Sequence, residues 1–159
     1  MKKLLIFTLF SFLVSFDTFE YSIGLNDKLI YTGLVSKSWI KVEDNRETYI
    51  ILGNSFLLSG AVGYGKKYYF FRNSSISPYL SLTGFGYYVL GIGAIAGGAV
   101  SASLGFDVDV IDWKQNRLML QFGVCSAYDL VNDMSLVIEG EGGPSFLMPS
   151  FNIKLLFDQ

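Results

Sequence analysis

Asp107 and Asp109 stand two residues apart in the segment VSASLGFDVDV, and Arg117 and Lys154 are the cations set against them. On an extended chain a spacing of two puts both carboxylates on one face. Two carboxylates and two cations on neighbouring strands suit a site that binds a cation or gates a lumen. They also suit a charge network that fills the interior of a closed sheet, and that reading is preferred. A glycosidase pair is specified by the separation of its carboxyl groups, which spacing along a chain does not give.

The remaining chemistry-bearing residues narrow the choice. The chain has no histidine, so the commonest metal ligand and general base is missing and no Ser-His-Asp site can form. Cys125 is the single cysteine, with no cation close to it in sequence. It is read as a small apolar filler, and it allows neither a disulfide nor a thiolate metal cluster within one chain. The run GAIAGGAV lacks the Gly-Lys-Ser/Thr that a phosphate-cradling loop needs. No catalytic, cofactor-binding or metal-binding residue is expected, and the chain is not expected to be an enzyme.

The elements that must position Asp107, Asp109, Arg117 and Lys154 read as strands, because the dominant periodicity is two. Phe19, Tyr21, Ile23 and Leu25 alternate with Glu20, Ser22 and Gly24. Val100, Ala102, Leu104, Phe106, Val108 and Val110 alternate with Ser101, Ser103, Gly105, Asp107 and Asp109. Leu118, Leu120, Phe122 and Val124 alternate with Arg117, Gln121 and Gly123, with Met119 on the polar side. Phe151, Ile153, Leu155 and Phe157 alternate with Asn152 and Lys154, with Leu156 as an exception. Each segment therefore has one apolar face and one polar or small face.

Eight strands are expected, at about 18–25, 29–39, 48–64, 66–72, 77–90, 94–110, 117–128 and 146–157. Turn chemistry separates them at Asn26-Asp27, Glu43-Asp44-Asn45, Gly65, Arg72-Asn73-Ser74-Ser75 and Lys114-Gln115-Asn116. The third strand has a second reading, as two strands broken at Gly53-Asn54, and residues 134–138 suit a further short strand. Around residues 112–116, pairing Val110 with Leu118, Val108 with Leu120 and Phe106 with Phe122 keeps every apolar residue on one face. A shift of two also preserves the face and sets Asp109 opposite Arg117, whereas a shift of one does not.

Composition and the first residues address the surroundings. The chain has 159 residues, enough for one domain, and only 16% are charged while 51% are hydrophobic, with a mean hydropathy of +0.40. Ordinary soluble domains carry about 25% charged residues, so lipid is a natural candidate solvent. Net charge is −2 and pI near 5.0, which leaves no footprint for nucleic acid. Lys2 and Lys3 precede a short apolar run, which reads as a signal peptide over residues 1–16, followed by one β-barrel domain at 17–159.

Two closed-sheet architectures share these strands. In a soluble barrel the apolar face packs inward, whereas in a membrane barrel it faces lipid and polar residues line the lumen. Small polar faces rich in Ser, Gly and Ala favour the second. So do aromatics near strand ends, namely Trp39, Tyr68, Tyr69, Tyr79, Tyr87, Tyr88, Trp113, Tyr128 and Phe157, as an interfacial girdle requires. Their alternative is ordinary core packing. Residues 89–106 are uncharged and carry small residues spaced as in packed membrane helices, but the glycines at 91, 93, 97 and 98 favour a hairpin turning near residues 90–93.

The stretch GYGKKYYFFRNSSISPYLSLTGFG, at residues 63–86, and the final FNIKLLF resemble the small outer-membrane β-barrel proteins of Gram-negative-type bacteria. That resemblance implies an all-β, small up-and-down antiparallel β-barrel residing in the cell outer membrane. It also implies the lipid bilayer and the barrel-assembly machinery as partners, and a non-enzymatic structural, adhesive or envelope role. The likeness departs at the end, where Asp158 and Gln159 follow Phe157. Glu139 and Glu141 among glycines read as an exposed loop suited to contact outside the cell. The alternatives are a soluble periplasmic, lipocalin-like β-barrel binding an apolar ligand, and a helical inner-membrane protein built around residues 89–106.

Overall fold

A computed structural model describes residues 16–29, 34–55, 58–72, 74–90, 94–132 and 147–158, with the backbone alone at 94, 95, 129, 131 and 132. The expected signal peptide, apart from Phe16, the extra strand considered at 134–138 and the loop read at Glu139 and Glu141 lie outside these residues. The described residues form eight strands and no helix. They are β1 (Thr18–Leu25), β2 (Val35–Glu43), β3 (Arg46–Ser55), β4 (Ser59–Tyr69), β5 (Ile76–Leu90), β6 (Ala94–Trp113), β7 (Asn116–Asn132) and β8 (Met148–Asp158). Each pairs antiparallel with its sequence neighbours, and β1 pairs with β8 to close an up-and-down barrel.

Closure follows from alternation. On β5, Ser77, Tyr79, Ser81, Thr83, Phe85 and Tyr87 are buried inside, while Leu80, Leu82, Gly84, Gly86 and Tyr88 face out. On β6, Ser101, Ser103 and Asp107 are inside while Leu104 and Phe106 face out. The large apolar faces thus point away from the axis. One end of the barrel carries the start of β1, the end of β8 and the connections at 44–45, 70–75 and 114–115, and the other carries the connections at 26–34, 56–58, 91–93 and 133–147.

Several expectations need correction. The break in the third expected strand falls at residues 56–58 rather than at Gly53-Asn54, and its second half joins 66–72 into β4. Gly65 is therefore no turn. It faces inward in mid-strand, where a Cβ would lie 2.6 Å from the hydroxyl of Tyr49. The expected strand at 29–39 begins only at Val35, because residues 26–29 fold into the barrel and are buried there. Residues 89–106 form the end of β5 and the first part of β6, joined at residues 91–93, so the helical reading falls. Tyr69, Tyr79 and Tyr87 point into the barrel rather than joining an outer girdle, since each hydroxyl or ring is better matched by interior partners than by the outer wall.

The hairpin of β6 and β7 combines two registers. Phe106↔Phe122 and Val108↔Leu120 pair as expected, but Ile111 rather than Val110 stands opposite Leu118. The two-residue turn sets Trp113↔Asn116, one residue out of step with the body of the ladder, and a register shift between Asp109 and Ile111 absorbs the extra residue. Lys114 takes the left-handed conformation at φ 49° that this turn needs, as Asp44 does at φ 46° in the turn between β2 and β3.

Two mid-strand glycines separate close approach from open space. Gly105 faces Gly123 across β6 and β7, and the hydroxyl of Tyr79 occupies the gap, 2.8 Å from where a Gly105 Cβ would sit. That Cβ would also run into the carbonyl of Phe122. A Cβ on outward Gly84 meets nothing within 4 Å. Gly105→Ala is expected to destabilise the refolded barrel by about 2 kcal/mol, whereas Gly84→Ala stabilises it by roughly 0.5–1 kcal/mol. Urea unfolding midpoints of the two variants read both signs.

Candidate functional site

The interior side chains come from strand positions that alternation turns inward, and many are charged. Glu20 lies on β1, Glu47 on β3, Lys67 and Tyr69 on β4, Asp107 on β6 and Lys154 on β8. Isolated charges at such depth would be expensive, so they occur as a connected set. Lys154 Nζ lies 3.5 Å from Glu20 Oε2 and 3.5 Å from Asp107 Oδ1. Lys28 donates to Glu20 Oε1 at 2.9 Å, and Lys67 donates to Asp107 Oδ2. The Tyr69 hydroxyl donates to Asp107 at 2.8 Å and lies 3.2 Å from Glu47, which Arg72 meets at 2.8 Å. Lys67 also sits 3.7 Å from the centre of the Tyr79 ring, and Lys28 sits 4.3 Å from that of Tyr49.

The chain plugs its own lumen. After β1, residues 26–29 turn inward instead of bridging directly to β2. Asn26 accepts the backbone N–H of Lys28 at 2.7 Å, an Asx turn, and donates to Ser36 at 2.8 Å. Asp27 Oδ2 accepts from Tyr79 at 2.9 Å, Ser103 at 2.8 Å and Gln121 at 3.3 Å. Ser101 donates to the carbonyl of Lys28 at 3.1 Å. Leu29 then enters the one apolar cluster formed by buried described residues, among Ile40, Tyr49, Ile51 and Phe85. Hydrogen bonds to β2, β5, β6 and β7 thus hold a four-residue stopper in place.

Four carboxylates (Glu20, Asp27, Glu47, Asp107) and four cations (Lys28, Lys67, Lys154, Arg72) are equal in number, and Asp27 alone of the carboxylates is held by neutral donors only, at Oδ2, with Oδ1 buried and unpartnered among the described residues. A recess between Glu20, Glu47, Tyr69 and Asp107 measures only about 20 Å³, room for about one water. Among the described residues no group of three His, Cys, Asp or Glu side chains could hold a metal ion. The arrangement binds strands across the lumen.

Of the four residues singled out from sequence, the structure brings Asp107 and Lys154 together inside. Asp109 is exposed at the mouth of the small recess, and Arg117 shares that mouth while reaching Asp158 at 3.7 Å. Glu20, Glu47, Lys28, Asp27 and Lys67 were not singled out. Glu20 was legible, because it alternates with Phe19 and Tyr21. Lys67 shares its parity with Gly63, Gly65 and Tyr69, but its neighbour Lys66 masked the choice of side. Nothing in the turn signal at Asn26-Asp27 says that the turn folds inward.

Removing Lys154 takes one of two cations from each of two buried carboxylates, leaving Glu20 with Lys28 and Asp107 with Lys67. Lys154→Met is expected to cost about 3 kcal/mol of unfolding free energy, whereas Asp109→Asn at the exposed mouth changes it by less than about 0.5 kcal/mol. Equal losses in denaturant unfolding would show that Lys154 does not bridge Glu20 and Asp107. Compared with protein-family models, with curated proteins and with solved structures, the chain matches none of them.

Proposed function

We propose that this protein is a small outer-membrane β-barrel with a non-enzymatic structural or adhesive role in the cell envelope. One observation carries the reading: the polarity of the barrel is inverted relative to a water-soluble one. Leu104 and Phe106 are each 52% exposed and Phe122 is 44% exposed, while Lys67, Asp107 and Lys154 are at most 1% exposed. Soluble monomers rarely present contiguous apolar patches beyond a few hundred Å². Hydrocarbon tolerates such a wall, provided that every backbone group is paired, and closure of β1 on β8 supplies the pairing.

The interior supports the same reading. A lipocalin-like carrier needs an apolar cavity for its ligand, and here Leu29 fills the apolar cluster while charged pairs fill much of the rest. Those pairs are committed to one another, which favours a scaffold over a catalyst. The barrel-assembly machinery is the expected partner of β8 during biogenesis. Asp158, which departs from an aromatic end, accepts from Thr18 at 2.9 Å and meets Arg117, so it helps to join β8 to both its neighbours.

Envelope fractionation and boiled against unboiled gels test the placement: the protein is expected with outer membranes and with heat-modifiable mobility. Leu104→Arg sharpens the test, because Leu104 lies midway along β6. In phosphatidylcholine vesicles it is expected to cost roughly 2–4 kcal/mol, while on a water-facing wall the change would stay within about 0.5 kcal/mol. Recovery as a soluble periplasmic monomer, with Leu104→Arg neutral, overturns the proposal.

A further inference from the structure

The outer wall is uneven. From β3 to β6 it carries Gly84, Gly86 and Gly98, which face out in ordinary extended backbone, with φ positive only at Gly24 among the described glycines. A Cβ on Gly84 meets nothing within 4 Å, and on Gly86 or Gly98 it meets only a backbone oxygen at 3.8 or 3.9 Å. Neither turn geometry nor internal packing calls for glycine there. A glycine inside a strand weakens it and marks places where another body approaches the backbone closely. Gly84 and Gly86 line a shallow, open groove whose two halves share Val62 and Gly86.

The register places charge directly above this groove. Lys41 pairs with Thr48 and Thr48 with Lys66, so two outward lysines flank one outward hydroxyl in a single row across β2, β3 and β4. The strands of the two lysines are roughly 10 Å apart, a span that two lysine side chains close over one phosphate. The next row toward the long-loop end is Trp39, Ile50, Tyr64 and Gly84, and the one after it is Lys37, Leu52, Val62, Gly86 and Gly98, where the Lys37 ammonium lies over the rings of Phe19, Tyr21 and Trp39 on the far side from the glycines. Glu43 meets Lys41 at 3.1 Å and also pairs with Arg46, while Asp44 at the turn and Asp17, whose N–H donates to the carbonyl of Ile40 next to Lys41, are further carboxylates of this rim. Lys66 has no ion-pair partner among the described residues.

The geometry points to a bound anionic glycerophospholipid, its phosphate held by Lys41, Thr48 and Lys66 and an acyl chain lying along Gly84 and Gly86. This rests on the bilayer-spanning reading. Charge complementarity selects the occupant: a second copy of this chain would bring the same cations, whereas a phosphate brings an anion to Lys66, beside a Lys41 that already shares Glu43 with Arg46. The site belongs to the leaflet at the short-turn end of the barrel.

Refolded protein in a neutral detergent is given phosphatidylglycerol or phosphatidylcholine with identical acyl chains, and native mass spectrometry reads retention. Wild type is expected to keep the anionic lipid about fivefold better, as two exposed charge contacts allow. Lys41→Gln with Lys66→Gln abolishes the preference, Gly86→Leu lowers retention of both lipids, and Lys114→Gln, at a turn of the same end, changes nothing. Persistence of the preference in the double variant overturns the inference, as does an equal loss in Lys114→Gln or a lipid-free dimer that Gly86→Leu abolishes. Heat-modifiable mobility is recorded on the same samples. Its absence rejects the membrane reading itself, and its presence without lipid preference rejects only the lipid site.

Discussion

One ammonium group sets the terms for the rest of the barrel. Lys154 stands between Glu20 on β1 and Asp107 on β6, at 3.5 Å from each. Taking these groups out of water is costly unless each charge finds its partners. The partners therefore extend outward in both directions, through Lys28 on one side and through Lys67, Tyr69, Glu47 and Arg72 on the other. Such a set has no tolerance for a slipped strand. Moving β8 by one residue would turn Ile153 or Leu155 inward and Lys154 outward, which takes a cation from both Glu20 and Asp107 and sets an apolar side chain among charges. The network fixes register as well as adding stability.

The same constraint explains what sequence reading recovers. Parity along a strand carries one bit, and it is legible wherever polar and apolar residues alternate, as in β1, most of β6 and, Leu156 apart, β8. That bit suffices for the strand type and rules out a one-residue slip in the body of the β6–β7 hairpin, whereas a shift of two preserves it, so parity alone does not select Phe106 opposite Phe122. It fails where neighbouring residues share a character: Lys66 and Lys67 are chemically identical, yet one faces out and the other is buried against Asp107. It fails again at Asn26-Asp27, because Asx chemistry bends the chain equally well toward solvent or into a lumen. Asp107 and Lys154 were therefore visible as a pair, and the stopper that completes their surroundings was not.

Tyrosine carries a similar ambiguity. An apolar ring with a polar tip suits a boundary between oil and water, and it suits an interior that offers one acceptor. Tyr49, Tyr69 and Tyr79 find Thr83, Asp107 and Asp27 respectively, so they turn inward, while Tyr68, Tyr88 and Tyr128 face out. What separates the two groups is the presence of an interior partner across the barrel, a property of topology that no local window of sequence contains. The exceptions Met119 and Leu156 behave alike. They occupy polar-side positions because both line the small recess beside Glu20 and Asp107.

A lumen filled from within leaves the two ends and the outer wall as the surfaces that can do work. The wall is not uniform. Where β7 meets β8, Phe122 and Phe151 pack with their rings tilted at 50° and 5.1 Å between centres, and cover the backbone. Where β4, β5 and β6 meet, glycines lay the backbone bare, and the open space around Gly84 means that alanine would serve the barrel better. Stability that a single methyl group would supply has been left unused on one side of the barrel and not on the other. A purely passive wall would give no reason for that difference, so the bare side is where contact with something outside the chain is to be sought.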